Sequence, residues 1–502
     1  MRKSRHKNKS RSSIFPIKVD ELQDLLESKF ENNPDLIFTI YEHQQKKVAI
    51  FFIAYQVQSD KLEEFLLQPL LNKKEEWTNK SLLNEIPLST GATKDNLEDI
   101  LEKLLIGEVF VYPEGEKETV SFLLLKKEKR QLARAETESL VLGPKVAFTE
   151  SLVTNLNLVR WGIRSTDLVL EEIKVGKITP REVRIVYMKS IANESDVNTM
   201  RQRIQDLNVD TIEDNTVLMQ YIEDSQITIF PQFYSTELPD RFCYTVTSGK
   251  VGVLMEGSPN GFIGPTTLFS FFESTEDIYM RWNAGSFFRI LRFVAMVLSV
   301  LLTPLYVAAV TYHYELIPTP ELITLGQSRA AVPFPPLLEA LILEFMIELL
   351  REAGARLPTK VGQTMGIVGG IVIGQAAVEA GLTSSILIIV IGISALASFT
   401  SPSYLMGTTV RVIRFPMIIL AGLFGIIGIM LGICFLIIHL LRITSLGRPY
   451  LTPLYPFMWK DFNKALFRLP LNLQSNRAFL LRPKDATRYK RKESTKKKDI
   501  DE

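Results

Sequence analysis

Short apolar runs alternate with polar stretches over the first 290 residues of this 502-residue chain. Some runs are rich in β-branched and aromatic residues, and others repeat apolar residues at helical spacing. This mixture predicts an α/β or α+β domain of two lobes, residues 14–138 and 139–290. The predicted strands are Leu36–Tyr41, Val48–Tyr55, Glu108–Tyr112, Thr119–Leu125, Glu182–Met188, Tyr244–Thr247 and Lys250–Met255. The predicted helices are Lys61–Leu71, Asn96–Ile106, Asp196–Leu207 and Ile212–Ile222.

The pattern changes after position 290, where long uncharged runs replace the short ones. Between Phe293 and Leu441 the chain carries only six Lys or Arg and seven Glu. A helix needs roughly 20 apolar residues to cross a bilayer, and several runs approach that length. We therefore predict an all-α polytopic membrane domain over residues 291–441, with four or five spans. The clear candidates are Phe293–Tyr312, Val361–Ala380, Thr383–Phe399 and Phe415–Ile438.

The segment Leu337–Leu350 leaves the number of spans open, because it is apolar yet acidic. A carboxylate at the bilayer centre costs about 2.5–3.5 kcal/mol on insertion scales. In one interpretation the segment is an interfacial helix whose acids lie in water or pair with Arg351 and Arg356. In the other it is a re-entrant or pore-facing helix whose carboxylates attract cations. The side on which the C-terminal tail lies depends on this choice. The acids are Glu339, Glu344 and Glu348.

Glycines recur every four residues within Val361–Ala380. On a helix this spacing forms a stripe of small residues, which lets another helix approach closely in lipid. Two interpretations stay open. In one the helix packs inside one subunit, and in the other it surrounds or lines a passage shared between subunits. The candidate packing or pore residues are Gly362, Gly366, Gly369, Gly370 and Gly374, together with the three glutamates above.

Both ends of the chain are basic. Residues 1–13 hold six Lys or Arg and are expected to form a disordered arm. Residues 442–502 form a tail with 15 Lys or Arg against six Asp or Glu. A basic tail gains about 1 kcal/mol per cation near anionic lipid. No apolar signal-peptide core precedes the lobes, so we expect the N-terminal domain to be cytoplasmic. Arg281, Arg289 and Arg292, just before the first predicted span, agree with that side.

Patterns for catalysis or metal binding are sparse. The four histidines lie far apart, and two isolated cysteines do not make a disulfide framework. The turn-rich stretch Glu256–Gly264 lacks the residues of a phosphate-binding loop. Basic residues outside the tail are interleaved with acids, which disfavours nucleic-acid binding. We therefore expect no enzyme activity, no metal site and no cofactor.

A series of specific motifs runs from about Ser151 to Leu471. It comprises SLVTNLNLVR (Ser151–Arg160), TELPD (Thr236–Asp240), FFESTEDIYMR (Phe271–Arg281), YVAAVTYHYELIPT (Tyr306–Thr319), VPFPPLLEALILE (Val332–Glu344), ELLREAGARLP (Glu348–Pro358), IVGGIVIGQAAVEAG (Ile367–Gly381) and GRPYLTPLYP (Gly447–Pro456). Together they resemble the A subunit of the GerA-type spore germinant receptors. Small departures occur at Glu256, Trp161–Gly162 and Ala330–Ala331, and none removes a catalytic group, because the family is not enzymatic.

The resemblance implies a multi-pass protein of the spore inner membrane, in contact with membrane lipid. Its implied partners are a transporter-like B subunit and a lipoprotein C subunit. Such complexes sense nutrients and then trigger release of monovalent cations and dipicolinate. The family's A subunits are thought to form homo-oligomers as the ion-conducting part, with nutrient recognition mainly in the B subunit. The resemblance also implies a two-lobed α/β N-terminal region.

Other functions stay open. The paralogous stage-V sporulation membrane protein of the same superfamily is an ion channel that amplifies release without sensing a nutrient. A secondary transporter with midplane carboxylates would need more spans and an inverted repeat. A membrane-bound enzyme would need a catalytic constellation that this sequence lacks.

Overall fold

Two five-stranded antiparallel sheets, one in each lobe, organise the chain before position 265. Short helices flank each sheet, and both faces of each sheet are buried by apolar side chains. All structural statements below concern the part of the computed structural model that is described. It comprises residues 15–30, 33–43, 46–72, 77–88, 90–125, 135, 138, 140, 142–356, 374–470 and 473–489.

The described residues of lobe 1 form five α-helices and five strands. The helices are α1 (Val19–Phe30), α2 (Ser59–Leu62), α3 (Gln68–Asn72), α4 (Asn79–Glu85) and α5 (Leu97–Leu104), with a π turn, Glu63–Leu67, between α2 and α3. The strands are β1 (Leu36–His43), β2 (Lys46–Ile53), β3 (Ala92–Lys94), β4 (Glu108–Pro113) and β5 (Thr119–Leu123). The sheet order is β1–β2–β4–β5–β3, so the short third strand lies at an edge.

Lobe 2 contains four helices and five strands. The helices are α6 (Leu152–Gly162), α7 (Glu194–Gln205), α8 (Asn215–Ile222) and α9 (Pro239–Thr247). The strands are β6 (Leu168–Val175), β7 (Arg181–Met188), β8 (Tyr234–Thr236), β9 (Val251–Met255) and β10 (Gly261–Gly264). The sheet order is β6–β7–β9–β10–β8.

The two lobes repeat one topology. Each runs through a helix, two eight-residue strands, a helical insertion, a three-residue strand, a helix and two final strands. The register repeats as well, because the third to sixth residues of the second strand pair with the fourth strand in both lobes. These pairs join Val48–Phe51 to Phe110–Pro113, and Val183–Val186 to Gly252–Met255. The sequence patterns did not predict this duplication.

Two predictions in lobe 2 are wrong. Tyr244–Thr247, predicted as a strand, is the end of α9. Pro239 fits the first helical turn, and Phe242 and Val246 lie four apart on the buried face. Gly261–Gly264, expected within a turn-rich connection, is β10. A Cβ at Gly261 would approach the Phe242 ring to 2.9 Å, so the close packing of α9 requires glycine in this strand.

The helices of both lobes share one apolar core between the two sheets. Leu22 of α1, Leu104 of α5, Leu156 of α6 and Phe242 of α9 belong to the same buried cluster. Each such side chain contributes about 1.5–3 kcal/mol when it is fully buried. The lobes are therefore packed as one head.

A buried charge cluster lies at the same interface. Asp35 of lobe 1 is 4% exposed and accepts a hydrogen bond from the Tyr55 hydroxyl at 3.2 Å. From lobe 2, Arg184 Nη1 lies 3.4 Å and Arg160 Nη2 lies 3.8 Å from its carboxylate. A buried charge that loses its partner costs about 3–5 kcal/mol. This cluster therefore holds the lobes in one relative orientation.

The described chain from Glu276 to Arg442 is mainly helical. Its helices are α10 (Glu276–Tyr279), α11 (Trp282–Tyr312), α12 (Thr319–Arg329), α13 (Pro336–Arg356), α14 (Ser385–Ser398) and α15 (Tyr404–Arg442). Two of them, α11 and α15, are long and apolar enough to cross a membrane, whereas α14 is apolar but has only 14 residues. Four or five spans therefore stay a prediction. Most of the predicted span Val361–Ala380 lies outside the described residues.

Helix α15 folds back on itself at Gly425, so the predicted span Phe415–Ile438 is not one continuous helix. Gly425 has a φ of +61°, which glycine adopts without a steric penalty. Gly428 then lies against the Leu420 backbone, and Gly432 lies against Met417. In a straight helix Gly432 and Met417 would be about 22 Å apart. The two arms, 404–424 and 426–442, therefore run antiparallel and are about 31 and 26 Å long.

Both arms of α15 return to lobe 2 at their outer ends. In the first arm, Thr409 donates a hydrogen bond to the Ile229 carbonyl at 2.6 Å. In the second, His439 Nε2 lies 2.9 Å from the Thr228 hydroxyl. At the far end of the bundle, the Tyr312 hydroxyl donates to carbonyls beside the fold-back. Helix α11 and the first arm therefore run away from lobe 2, and the second arm returns to it.

The tail after α15 docks on lobe 2. Asp224 accepts hydrogen bonds from the Thr444 hydroxyl and, at 2.8 Å, from the Gly447 amide. Tyr450 is fully buried and donates to the Pro231 carbonyl at 2.9 Å. The tail therefore lies on the same side of the helical bundle as the lobes. Its regular elements are β11 (Thr444–Ser445), β12 (Arg448–Pro449) and α16 (Trp459–Leu466).

Candidate functional site

Three glutamates of α13 enter the helical bundle, and each meets an arginine outside its own turn of helix. Successive glutamates are five and four residues apart, which corresponds to about 7.5 and 6 Å of helical rise. Glu339 and Glu344 are 1% and 3% exposed, and Glu348 is half-buried. We call these three residues, with their arginine partners, the glutamate column.

The middle level of the column is fully buried. Glu344 Oε2 accepts a hydrogen bond from Arg414 Nη1 at 2.7 Å, and Oε1 accepts one from the Thr303 hydroxyl at 3.0 Å. Arg414 also donates from Nε to the Ser299 carbonyl at 2.8 Å and from Nη2 to the Ser299 hydroxyl at 2.6 Å. Pro304 lacks an N–H and locally interrupts the hydrogen bonding of α11 beside these acceptors.

The level furthest from lobe 2 joins α13 to the start of α14. Glu339 Oε2 accepts a hydrogen bond from Arg329 Nη1 at 2.8 Å. Its Oε1 accepts bonds from the Ser384 amide at 2.6 Å and the Thr383 hydroxyl at 3.0 Å. Ser384 is the N-cap of α14, so the carboxylate lies at the positive end of a helix dipole. Both oxygens of this buried carboxylate are therefore paired.

The level nearest lobe 2 is partly open to the surface. Glu348 accepts hydrogen bonds from Arg411 Nη1 at 2.8 Å and from Arg351 Nη1 at 3.0 Å. Of the three glutamates, Glu348 is the one that pairs with Arg351, as the interpretation of an interfacial helix expected. Arg356 pairs instead with Glu352, at 2.6 Å, on the exposed side of α13.

Each carboxylate of the column faces a guanidinium, so this arrangement offers no unpaired negative charge to a cation. Ionisable groups inside a membrane mark ion paths, proton relays or gates, because they are costly to keep there. The arrangement can fix the register of three helices, and it can expose carboxylates only if arginines move away. That these glutamates face a pore stays a prediction. No group of three possible metal ligands occurs among the described residues.

The predicted glycine face falls almost entirely outside the described residues. Gly374, its last member, is helical, as are the described residues up to position 379. A Cβ added to Gly374 would contact the Ile388 side chain at 3.9 Å, which is an ordinary van der Waals distance. Its role in packing or conduction stays a prediction. The other members, outside the described residues, are Gly362, Gly366, Gly369 and Gly370.

The sequence patterns did not predict the arginine partners. Arg329, Arg411 and Arg414 are 10 to 70 residues away from the glutamates they bind. The usable signal was the near balance of six cations and seven acids where charges are rare, since buried charges are kept in pairs. That signal predicts pairing without saying which residues pair.

A two-lobed head joined to an apolar bundle with internal charge pairs defines a membrane-associated protein. Comparison with protein families gives a match to the Bacillus/Clostridium GerA spore germination protein over residues 24–479. The chain therefore belongs to the GerA spore germination family. The resemblance identified from the motifs is confirmed at that level.

Individual relatives agree. Spore germination protein GerQA of Bacillus cereus is 43% identical over 483 residues, which cover 96% of both chains. Spore germination protein A1 of Bacillus subtilis (strain 168) is 36% identical over 449 residues, 88% of this chain and 92% of the relative. Among solved structures, the N-terminal domain of the A subunit of the Bacillus megaterium spore germinant receptor GerK3 is 27% identical. It covers 51% of this chain and 98% of that domain, with a TM-score of 0.40.

Proposed function

We propose that this chain is the A subunit of a nutrient germinant receptor and that it oligomerises as the receptor's ion-conducting and gating part. It acts in the spore inner membrane beside a transporter-like B subunit and a lipoprotein C subunit. Its opening releases cations and triggers germination. The role is conduction and coupling rather than catalysis. Membership of the GerA spore germination family supports this proposal.

The glutamate column is the observation that carries the conducting role. From Glu339 to Glu348 it extends for about 13.5 Å along α13, so it is a series of levels rather than one site. Carboxylates at successive depths suit a path for cations, which binds them at several weak sites. The arginines then define a closed state, in which guanidinium groups rather than cations bind the carboxylates.

A movement of the first arm of α15 offers a way to open this path. Arg411 and Arg414 both belong to that arm, and they bind Glu348 and Glu344 at 2.8 and 2.7 Å. A shift of one helical turn, about 5.4 Å, would withdraw both arginines together. A nutrient signal can drive that shift only if it stabilises the open packing more than the closed one.

We infer that both lobes and the tail lie in the cytoplasm, with an even number of membrane passes between them. Helices α13 and α14 run back towards lobe 2, antiparallel to α11. The predicted span Val361–Ala380 would then connect α13 to α14. Counting α11, α13, this predicted span, α14 and the two arms of α15, we propose six passes in place of the four or five predicted from the sequence, because the fold-back at Gly425 turns one predicted span into two.

Glu344→Gln tests the conducting role. It leaves buried Arg414 without its counter-charge, at a cost of about 3–5 kcal/mol to the closed packing. We expect nutrient-triggered cation release from spores to change by at least about tenfold. Glu352→Gln is the matched control, because Glu352 lies on the same helix in an exposed pair.

The double variant Glu344→Gln, Arg414→Gln separates conduction from folding. Removing both charges should restore the amount of protein in the membrane, since no lone buried charge is left. Cation release should stay altered. Normal release from Glu344→Gln spores that contain normal amounts of the protein would contradict the proposal.

Gly374→Leu tests assembly through the glycine face. Within the described chain an added Cβ meets only one ordinary contact, the Ile388 side chain at 3.9 Å, so we expect the subunit to fold. If Gly374 packs against a neighbouring subunit, the oligomer measured in detergent becomes smaller and cation release falls. Gly354→Leu on α13 is the control, because no atom of the described chain lies within 4 Å of its added Cβ. Unchanged oligomer size and release would exclude a shared passage at this position.

A further inference from the structure

A cavity of about 530 Å³ lies where lobe 2, the start of α11 and the tail meet. Its walls come from α9 and β10, from the chain just before α11, and from the tail between α16 and Tyr489. Small-molecule sites typically measure roughly 300–1,000 Å³. The cavity is separate from the glutamate column, and the proposed function does not depend on it.

Basic side chains outnumber acidic ones around this cavity. The basic residues are Arg241, Lys250, Arg289, Arg468, Arg477 and Arg488, and the acidic ones are Glu273, Asp277 and Asp461. Two of the acids already bind arginines, because Glu273 lies 3.2 Å from Arg289 and Asp277 lies 2.7 Å from Arg292. The wall of the cavity therefore carries an excess of positive charge.

Lys250, Arg241 and Arg488 are among the wall cations that have no carboxylate within ion-pair distance in the described part of the chain. Lys250 Nζ donates to the Ser270 hydroxyl at 3.4 Å, and Arg488 Nη1 donates to the Tyr244 hydroxyl at 3.5 Å. Both contacts are long for hydrogen bonds. Arg241 donates to two backbone carbonyls. These three side chains come from α9, from the turn before β9 and from the tail.

Lys250 is partly buried in the wall of the cavity. It follows Gly249, whose φ of +105° turns the chain from α9 into β9. Burial lowers the pKa of Lys250 to about 8, so its charged form is kept there at a cost. A bound anion would offset that cost.

We propose that this cavity binds the phosphate group of a phosphorylated small molecule or of an anionic phospholipid, through Lys250, Arg241 and Arg488. Phosphate fits these donors because it accepts hydrogen bonds on several sides, and arginine and lysine are the side chains that recognise it. One occupant would contact lobe 2 and the tail at once. It would therefore act as a non-covalent link between them.

Two sources can supply the phosphate group. Trp282 at the start of α11 and Trp459 at the start of α16 are 53% and 68% exposed. Tryptophan settles at the level of lipid head groups, so a head group can reach the cavity from the membrane. A soluble phosphate compound would enter from the aqueous side. The experiment has one arm for each source.

The full-length protein is placed in two kinds of nanodisc, and its thermal unfolding is measured. One preparation contains phosphatidylcholine only and receives inorganic phosphate. The other contains phosphatidylglycerol and no phosphate. Sodium chloride at equal ionic strength is the reference, because salt screens surface charge. Wild type is compared with Lys250→Gln and with Lys174→Gln, which removes the same charge from an exposed position on β6.

A ligand that binds the folded state raises the unfolding temperature. We expect this rise for wild type and Lys174→Gln, with affinity about tenfold lower or worse in Lys250→Gln, as for a lost charge-assisted hydrogen bond. A rise with inorganic phosphate supports the proposal with a soluble occupant. A rise with phosphatidylglycerol supports it with a lipid. If Lys250→Gln does not fold, Arg488→Gln in the tail replaces it. Equal responses of wild type and the cavity variant in both preparations would overturn the proposal.

Discussion

Lobe 1 and lobe 2 use one backbone frame for different contacts. In each, an aspartate stands one residue before the first strand and bonds a side chain two residues beyond the second. Tyr55 donates to Asp35 at 3.2 Å, and Ser190 donates its hydroxyl to Asp167 at 2.5 Å. Asp35 is buried and also faces arginines of the other lobe, whereas Asp167 is partly exposed and bonds within its own lobe. The same position therefore joins two lobes in one case and closes a local turn in the other.

The loop before the third strand differs more. Six residues, 86–91, separate α4 from β3, whereas eleven, 223–233, separate α8 from β8. The longer loop carries Asp224, which holds the tail, and Thr228 and Ile229, which bond the two arms of α15. The repeated frame supplies rigidity, and the longer loop supplies the connection to the membrane part.

Asp35→Ala should give the largest difference between the lobes. It leaves buried Arg160 without a carboxylate, so we expect the free energy of unfolding to fall by about 3–5 kcal/mol. Asp167→Ala removes hydrogen bonds at a partly exposed turn and should cost about 1 kcal/mol. Unfolding of the full-length protein in detergent measures both. Equal losses would mean that the two aspartates have equivalent roles.

Asp224→Asn should release the tail from the longer loop. Although burial opposes it, hydrogen bonds from Thr444 and Arg203 hold the pKa of Asp224 below its usual value, so the carboxylate is charged. Losing its charge-assisted bonds should cost about 1–3 kcal/mol of docking, and trypsin should then cleave the tail faster. Asp206→Asn, at the exposed end of α7, is the control. Cleavage at the wild-type rate would argue against this loop as the anchor.

Glu223→Gln should give the smallest effect, visible only as a change in pH dependence. Burial raises the pKa of Glu223 to about 7, from 4.5 in an exposed glutamate. Between these values the folded state keeps a proton that the unfolded state releases, so stability falls as pH rises through this window. Glutamine removes that fall. Loop 86–91 contains no acid, so lobe 1 has no counterpart.

The measurement compares unfolding temperatures at about pH 5 and about pH 8 for wild type and variant. The difference between the two temperatures should be smaller in the variant. An identical difference in both proteins would show that Glu223 does not titrate in this window.

Local patterns were sufficient for the long strands and insufficient for the repeat. Val48–Tyr55 and Glu182–Met188 overlap β2 and β7, because both are dense in apolar and β-branched residues. Ala92–Lys94 and Tyr234–Thr236 were not predicted, since three residues are too few to display a period. The strand order that reveals the duplication is a property of pairing, which leaves no trace in periodicity.

The sequence likewise indicated the glutamates of the column but not the arginines that bind them. Glu344 stands out because it is an acid in an apolar run, but Arg414 lies 70 residues later and meets it only through helix packing. Gly425 is likewise one small residue in a long uncharged run, and hydropathy cannot register its positive φ. The sequence shows where the charged residues lie along the chain, but which arginine pairs with which glutamate depends on how the helices pack.

The fold-back at Gly425 brings the chain out of the bundle at the lobe from which it entered. Lobe 2 is therefore attached both to α11, the first long helix of the bundle, and to the second arm of α15, the last one. Because both ends of the helical bundle are attached to this lobe, neither end is free to stay in place when the lobe rotates. The rotation passes to both helices at once, and the helices between them must change their packing to follow.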